Sequence, residues 1–508
     1  YHEGMVGTFS TANPLYANGA VDTAISHLIF AGLLRYDDQN RLVGDLAASY
    51  AHDDTGKVYT VELRPNLTWQ DGKPLTADDV VFTFQTLQNP DANSPLRQSM
   101  QGVTITKVGD RTIKFTLSSA LASFPNSLTV GILPKHLLAS VPPTELRTAS
   151  FNTASPVGAG PFAWRSLQLI NTASDDDATA AVITLDRFAG YHTQPPKLER
   201  FVLHTYDAAD DLISAFKKRE VRAIAGMKSL PDSIKESDQI RAYNFQSTAE
   251  VMTFFNLASA SPLSETAVRR AITFGTSRRT IIKKLNQTLR IIREPVLADQ
   301  FAFDSRYQQP LYNKTLAEQT LDAAGWKLAA NGLREKNGKR LTFRLYAEET
   351  PDNKVITKEL KRQWREIGID ADVTLQPAMY FQTTLDTRSY DAVLYGISIG
   401  NDPDVYAYWH SSQADSGMNF SNYKSKAADT ALETARVRQD TTQRKLKYEA
   451  FLKTWQDDVP ALAMYRPRIY YITRGDVYGL TEHILNTDAD RYYSVSGWMI
   501  NTAMTDDH

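Results

Sequence analysis

Leu63 to Pro90 reads LRPNLTWQDGKPLTADDVVFTFQTLQNP, and the reading of this stretch decides the fold. Tyr59, Val61 and Leu63 alternate with Thr60 and Glu62 at its start, the period of a half-buried strand. Asp71-Gly72 is a turn signal. Thr76, followed three residues later by Asp79, fits a capping box, in which side-chain oxygens meet N–H groups that a helix start leaves orphaned. Val80, Val81, Phe84 and Leu87 then recur at helical spacing. Periodicity alone therefore predicts a strand, a tight turn and an amphipathic helix.

Composition bounds the rest. The chain has 508 residues, too many for one ordinary core, and suggests about three domains. Apolar residues at 42% and charged residues at 22% describe a globular chain rather than a disordered one. Charge is nearly balanced, 56 basic against 58 acidic, without the basic excess of a nucleic-acid binder. No cysteine is present, which excludes disulfides and thiolate metal sites. No apolar run reaches the length of a membrane-spanning helix. Tyr1-His2-Glu3-Gly4 lacks the charged start and apolar core of a signal peptide.

The order of residues in the opening stretch is more specific than its periodicity. Leu63-Arg64, Trp69-x-Asp71-Gly72-x-Pro74-x-Thr76-Ala77-x-Asp79-Val80 and Phe82 resemble the signature of the extracytoplasmic solute-binding proteins of oligopeptide and dipeptide ABC transporters, solute-binding family 5. Other phrases resemble the same family: Leu133-Pro134-Lys135-His136, Pro156-Val157-Gly158-x-Gly160-Pro161-Phe162, Phe255-Asn256 with Pro262-Leu263 and Val268-Arg269, and Tyr408-Trp409 with Asn419-Phe420. Tyr50 departs from it, standing where relatives have tryptophan.

The resemblance implies an α/β, two-lobed, type II periplasmic-binding-protein-like fold with an extra α+β domain inserted in the first lobe. The expected division gives residues 1–31, 155–245 and 478–508 to lobe I, 32–154 to the insert and 246–477 to lobe II. It implies an extracytoplasmic carrier, monomeric and without cofactor, that captures an oligopeptide-like solute in an interlobe cleft by hinge closure. The solute passes to ABC permease subunits, and no bond is made or broken. Attachment to the membrane would come through a segment missing from this chain.

The same resemblance implies a site. Asn18, Gly19 and Ala20 would line the cleft, and Tyr395, Gly396, Ile397 and Ser398 would pair with the backbone of an extended ligand. In peptide binders an aspartate four residues before the proline of this region holds the ligand's α-ammonium group. Counting back from Pro403, that position is Ile399. Isoleucine makes no ion pair, which puts an α-ammonium anchor in question, and the alternative is a loop shift that places another acid there, such as Asp402 or Asp404. Leu96 replaces the family's aromatic residue after Ser-Pro, and Trp409 and Tyr478 are candidates to stack on a ligand. The change at Ile399 leaves a non-peptide solute, such as a glycan or a metal chelate, as an alternative.

One catalytic pattern stands beside the binding motifs. Gly396-Ile397-Ser398-Ile399-Gly400 matches G-x-S-x-G after a strand, with Asp402 or Asp404 and His410 or His483 downstream, so a serine hydrolase on Ser398 is a rival. A nucleophile elbow needs a helix at once, however, and Asn401-Asp402-Pro403 intervenes. The nine histidines show no metal-ligand spacing, so no metal site is expected. Asp175-Asp176-Asp177 reads as a solvated loop tip. Ser264 is expected to cap the helix around Val268, with Arg269 and Arg270 as solvated helix arginines.

Overall fold

The computed structural model describes residues 1–171, 179–234, 239–287 and 289–501. Asp175-Asp176-Asp177 lies outside the described residues. The chain forms two compact units, Tyr1–Gln246 with Arg468–His508, and Ser247–Pro467.

The first unit is built on an eight-stranded mixed sheet. Its order is Ile484–Leu485, Ile240–Ser247, Arg468–Arg474, Ala223–Met227, His2–Val6, Arg200–Tyr206, Thr179–Arg187 and Phe162–Asn171. His2–Val6 runs parallel to both of its neighbours. Arg468–Arg474 lies between Ile240–Ser247 and Ala223–Met227 and pairs antiparallel with each. The expected return to the first lobe at 478 is thus corrected to Arg468. The apolar run 460–472 is two strands, because Pro467, which has no N–H to give a ladder, separates Ala461–Arg466 from Arg468–Arg474.

Within residues 32–154 a separate antiparallel sheet runs Ala47–His52, Val58–Leu63, Thr112–Leu117, Val103–Lys107. The opening stretch supplies one strand and the helix Ala77–Gln88 that packs on this sheet. Val58–Leu63 alternates half-buried and buried residues, as its period demands. Thr76 and Asp79 make the capping box: Asp79 accepts the Thr76 N–H at 2.9 Å, and Thr76 accepts from the Asp78 N–H at 3.3 Å. The other Asp79 oxygen takes the Lys135 N–H at 3.0 Å, and Thr83 takes the Leu133 N–H at 2.8 Å, which ties the helix to the Leu133–His136 phrase.

Gln70 joins this insert to the large sheet. Its amide nitrogen donates to the carbonyls of Ile29, Gly160 and Phe162 at 3.0, 3.2 and 2.7 Å, and its oxygen accepts the Gly158 N–H at 2.9 Å. A Cβ on Gly158 would lie 2.0 Å from the Ile29 carbonyl oxygen, and one on Gly160 2.6 Å from the Ile29 carbonyl carbon. The two glycines are a close backbone approach and not a phosphate cradle.

The second unit carries a six-stranded sheet in the order Arg290–Ile291, Ala461–Arg466, Ala249–Phe255, Ala392–Ser398, Thr342–Glu348, Asp370–Gln376. Thr342–Glu348 is parallel to both neighbours. One face packs with Thr266–Phe274 and Pro351–Arg365 around Leu345, Leu360 and Trp364. The other packs with Lys426–Val437 and Thr441–Asp458 around Val393, Leu432 and Trp455.

Two readings near Val268 are corrected. Glu265, not Ser264, occupies the N-cap of Thr266–Phe274, while Ser261 caps the short turn before it. Arg269 is buried rather than solvated, and its guanidinium donates to the carbonyls of Leu263, Ser264, Asp458 and Val459. It thereby satisfies acceptors that the end of Thr441–Asp458 leaves orphaned, and burial lowers its pKa to about 10.

Candidate functional site

Ala392–Ser398 is a central strand over its first half and an edge over its second. Ala249–Phe255 pairs with all of it, from Phe255 opposite Ala392 to Ala249 opposite Ser398. Thr342–Glu348 covers the other side only from Ala392 to Leu394. The Ile399 N–H donates to the Thr248 carbonyl at 3.1 Å, so odd-numbered residues aim their backbone groups at Ala249–Phe255. The groups of Gly396 and Ser398 therefore point to the uncovered side. Tyr408 Oη donates to the Ser398 carbonyl at 2.6 Å, and Gly396 and Ser398 are both exposed. Gly396 has no Cβ to hold a second backbone away, and Gly400, at φ +79°, turns the chain off the sheet.

Side chains on this strand divide by face. Tyr395 is half-buried, with its ring 5.0 Å from Phe420 and 6.0 Å from Phe381. Burial pushes its phenol pKa up, helped by Glu348 and Asp386. Ile397 and Ile399 are 3% and 9% exposed and pack in the core with Val405 and Trp409. Ile399 thus faces its own unit's interior and does not present to a solute. Trp409 is fully buried, stacked at 5.5 Å on Phe254 with Trp455 at its edge, so it offers no free ring. Asp402 grips Arg444 through both oxygens at 2.8 and 2.6 Å, and Asp404 holds Arg436 at 3.0 Å. Both acids are spent on structure, which removes them as substitute ammonium anchors.

The hydrolase arrangement is not assembled. Ser398 ends its strand, and the next helix, Tyr406–Trp409, begins only after Gly400 to Val405. His410 bonds Ser412 and Glu433, and His483 bonds the carbonyls of Thr481 and Asp490. Among the described residues, no histidine bonds Ser398, and no three ligating side chains converge as for a metal ion.

In the first unit, Asn18, Gly19 and Ala20 are exposed at the start of the helix Ala20–Ile29. Gly19 holds φ +101° with nothing within 4 Å of where a Cβ would stand. Beside this turn, Ala17 and Leu96 line a cavity of about 320 Å³ together with His27, Arg35, Asp490 and Tyr493. Arg35 lies 5.1 Å above the Tyr493 ring and 3.8 Å from Asp45, whose other partner is His192 at 2.7 Å. His27 approaches Asp490 at 3.6 Å. Tyr478 is 54% exposed on a short strand paired with Met499, outside this lining. His27, Arg35 and Tyr493 were not legible as a set, since they meet only through the fold.

Residues 41–419 match the family model described as "Bacterial extracellular solute-binding proteins, family 5 Middle", which spans well over half of the chain. The chain belongs to solute-binding family 5. This family 5 chain is 26% identical over 495 residues to "Oligopeptide-binding protein AppA" of Bacillus subtilis (strain 168), covering 94% of this chain and 88% of that one. It is 23% identical over 460 residues to the "Nickel-binding periplasmic protein" of Escherichia coli (strain K12), covering 87% and 84%. Among solved structures it is similar to NikZ from Campylobacter jejuni in complex with Ni(L-His), at TM-score 0.81 and 25% identity over 98% of this chain and 99% of that one. It also shares its fold with AppA from Bacillus subtilis in complex with a nonapeptide, at TM-score 0.78 and 23% identity over 98% of each chain. Its fold is thus the two-lobed one of these proteins. Members of the family are extracytoplasmic binding proteins, and no helix among the described residues is long and apolar enough to cross a membrane.

Proposed function

We propose that this family 5 protein is the solute-binding component of an ABC importer and takes an oligopeptide-like ligand as an added strand on the edge at Gly396 and Ser398. One observation carries the reading: a strand paired along one side and, among the described residues, joined by a strand on the other side only as far as Leu394. Main-chain groups of a peptide meet that edge whatever its side chains are, so backbone pairing supplies affinity and water absorbs side-chain variety. The peptide named for AppA supports the class. The protein acts by capture and release, as a monomer outside the cytoplasmic membrane, with the crossings at 246–247 and 467–468 as its hinge and a permease as its partner.

A second reading, a non-peptide solute such as a metal chelate, is favoured by the core position of Ile399 and the pairing of Asp402 with Arg444. Native mass spectrometry of the purified protein separates the two. A ladder of peptide masses released from it supports the peptide reading, and one non-peptide mass overturns it. Gly396→Pro removes the outward N–H and leaves the ladder to Ala249–Phe255 intact. It is expected to weaken peptide binding by about tenfold or more.

A further inference from the structure

We propose that Glu348 is the cation anchor of this edge, so that the bound solute presents an ammonium group beside Tyr395. The inference rests on the reading of Gly396 and Ser398 as the ligand platform.

Thr342–Glu348 pairs in parallel with Ala392–Ser398 through Ala347 opposite Leu394. One step further sets Glu348 beside Tyr395, at the point where the ladder stops. Tyr346 packs in the same cluster as Val393 and Tyr395, so the even-numbered residues of this strand share their face. Glu348 is half-buried and, among the described residues, its carboxylate has no ion pair and no side-chain hydrogen bond. Nearby acids are occupied: Glu349 holds Lys354 at 3.0 Å, Asp352 accepts from Gln287 at 3.2 Å, and Asp386 accepts from Gln382 at 2.9 Å. The helix Pro351–Arg365 starts nearby, but Thr350 already caps its Asn353 N–H at 3.1 Å and Asp352 offsets its positive end.

A ligand strand on Gly396 and Ser398 continues the row that Thr342–Glu348 vacates, so its near end meets Glu348. A carboxylate there would face a like charge. An ammonium group exchanges water for a charge-assisted hydrogen bond.

Isothermal titration calorimetry tests this with three amidated pentapeptides: pentaalanine with a free N-terminus, its N-acetyl twin, and an N-acetyl peptide with lysine first. The wild type is expected to bind at least one ammonium-bearing peptide about tenfold or more tighter than acetylated pentaalanine. The free-amine or the lysine peptide, whichever is preferred, tells the source of the charge. Glu348→Gln is expected to erase that preference and leave acetylated pentaalanine unchanged. A preference that survives Glu348→Gln, or no preference in the wild type, overturns the proposal. Gly396→Pro keeps the platform reading separate: it weakens all three peptides if the platform is right. Should it weaken none while Glu348→Gln erases the preference, the platform reading fails and the anchor stands. A wild type that binds none of the three overturns both.

Discussion

Glu3 carries a carboxylate to a position with no exposed surface, where Arg491, Tyr492 and Tyr471 bond it at 2.5, 2.5 and 2.6 Å. These residues come from the first strand, the C-terminal segment and Arg468–Arg474, so one buried network staples the separate pieces of the first unit. Breaking such a pair leaves a buried charge uncompensated, and Arg491→Met should cost about 3–5 kcal/mol in urea unfolding. Asp402→Asn should likewise destabilise through Arg444, yet leave peptide affinity within about twofold, since Asp402 serves the fold. In the second unit, burial pushes the carboxyl of Glu294 up to about 7, and that of fully buried Glu250 is pushed up too. The native state then holds protons that the unfolded chain gives up near the ordinary glutamate range. The stability these groups contribute is present below that range and falls as pH rises through about 7. Urea midpoints between pH 5 and pH 8 should decline in the wild type and decline less in Glu250→Gln/Glu294→Gln. At this scale the sequence is a weak guide. Counting to Ile399 locates a position but not the face it turns to, and Arg269 looks like any helix arginine until the carbonyls of Asp458 and Val459 arrive from far along the chain.

At the scale of elements the opening stretch is read almost directly, because its signals are local. The alternation in Val58–Leu63, the cap at Thr76 and the helix Ala77–Gln88 need only neighbours in sequence. Thr76→Ala should cost about 1 kcal/mol in thermal or urea unfolding. Gln70 is a variable position in the signature, yet it bonds four backbone groups across two chain segments. Gln70→Leu should cost more than the cap, about 2–4 kcal/mol, since it leaves buried carbonyls and the Gly158 N–H without their partner. The strand Arg468–Arg474 is hard to place for the opposite reason: its two partners, Ala223–Met227 and Ile240–Ser247, lie more than two hundred residues earlier in the chain, and Pro467 is its one local mark.

For the whole molecule, many specific residues in one short window identify the family, and the matched family model agrees with them. The ligand is less legible, because specificity lies in which groups the fold leaves unpaired. The edge at Gly396 and Ser398 is invisible in a string of letters; it exists because the pairing with Thr342–Glu348 ends at Leu394. Amide-resolved hydrogen exchange tests that account most directly. On saturation with amidated pentaalanine, the Gly396 and Ser398 amides should slow together, while the Ile397 amide, already paired with Ala249–Phe255, should change little. Unchanged exchange at Gly396 and Ser398 in the saturated protein would contradict the claim that the solute binds as an added strand.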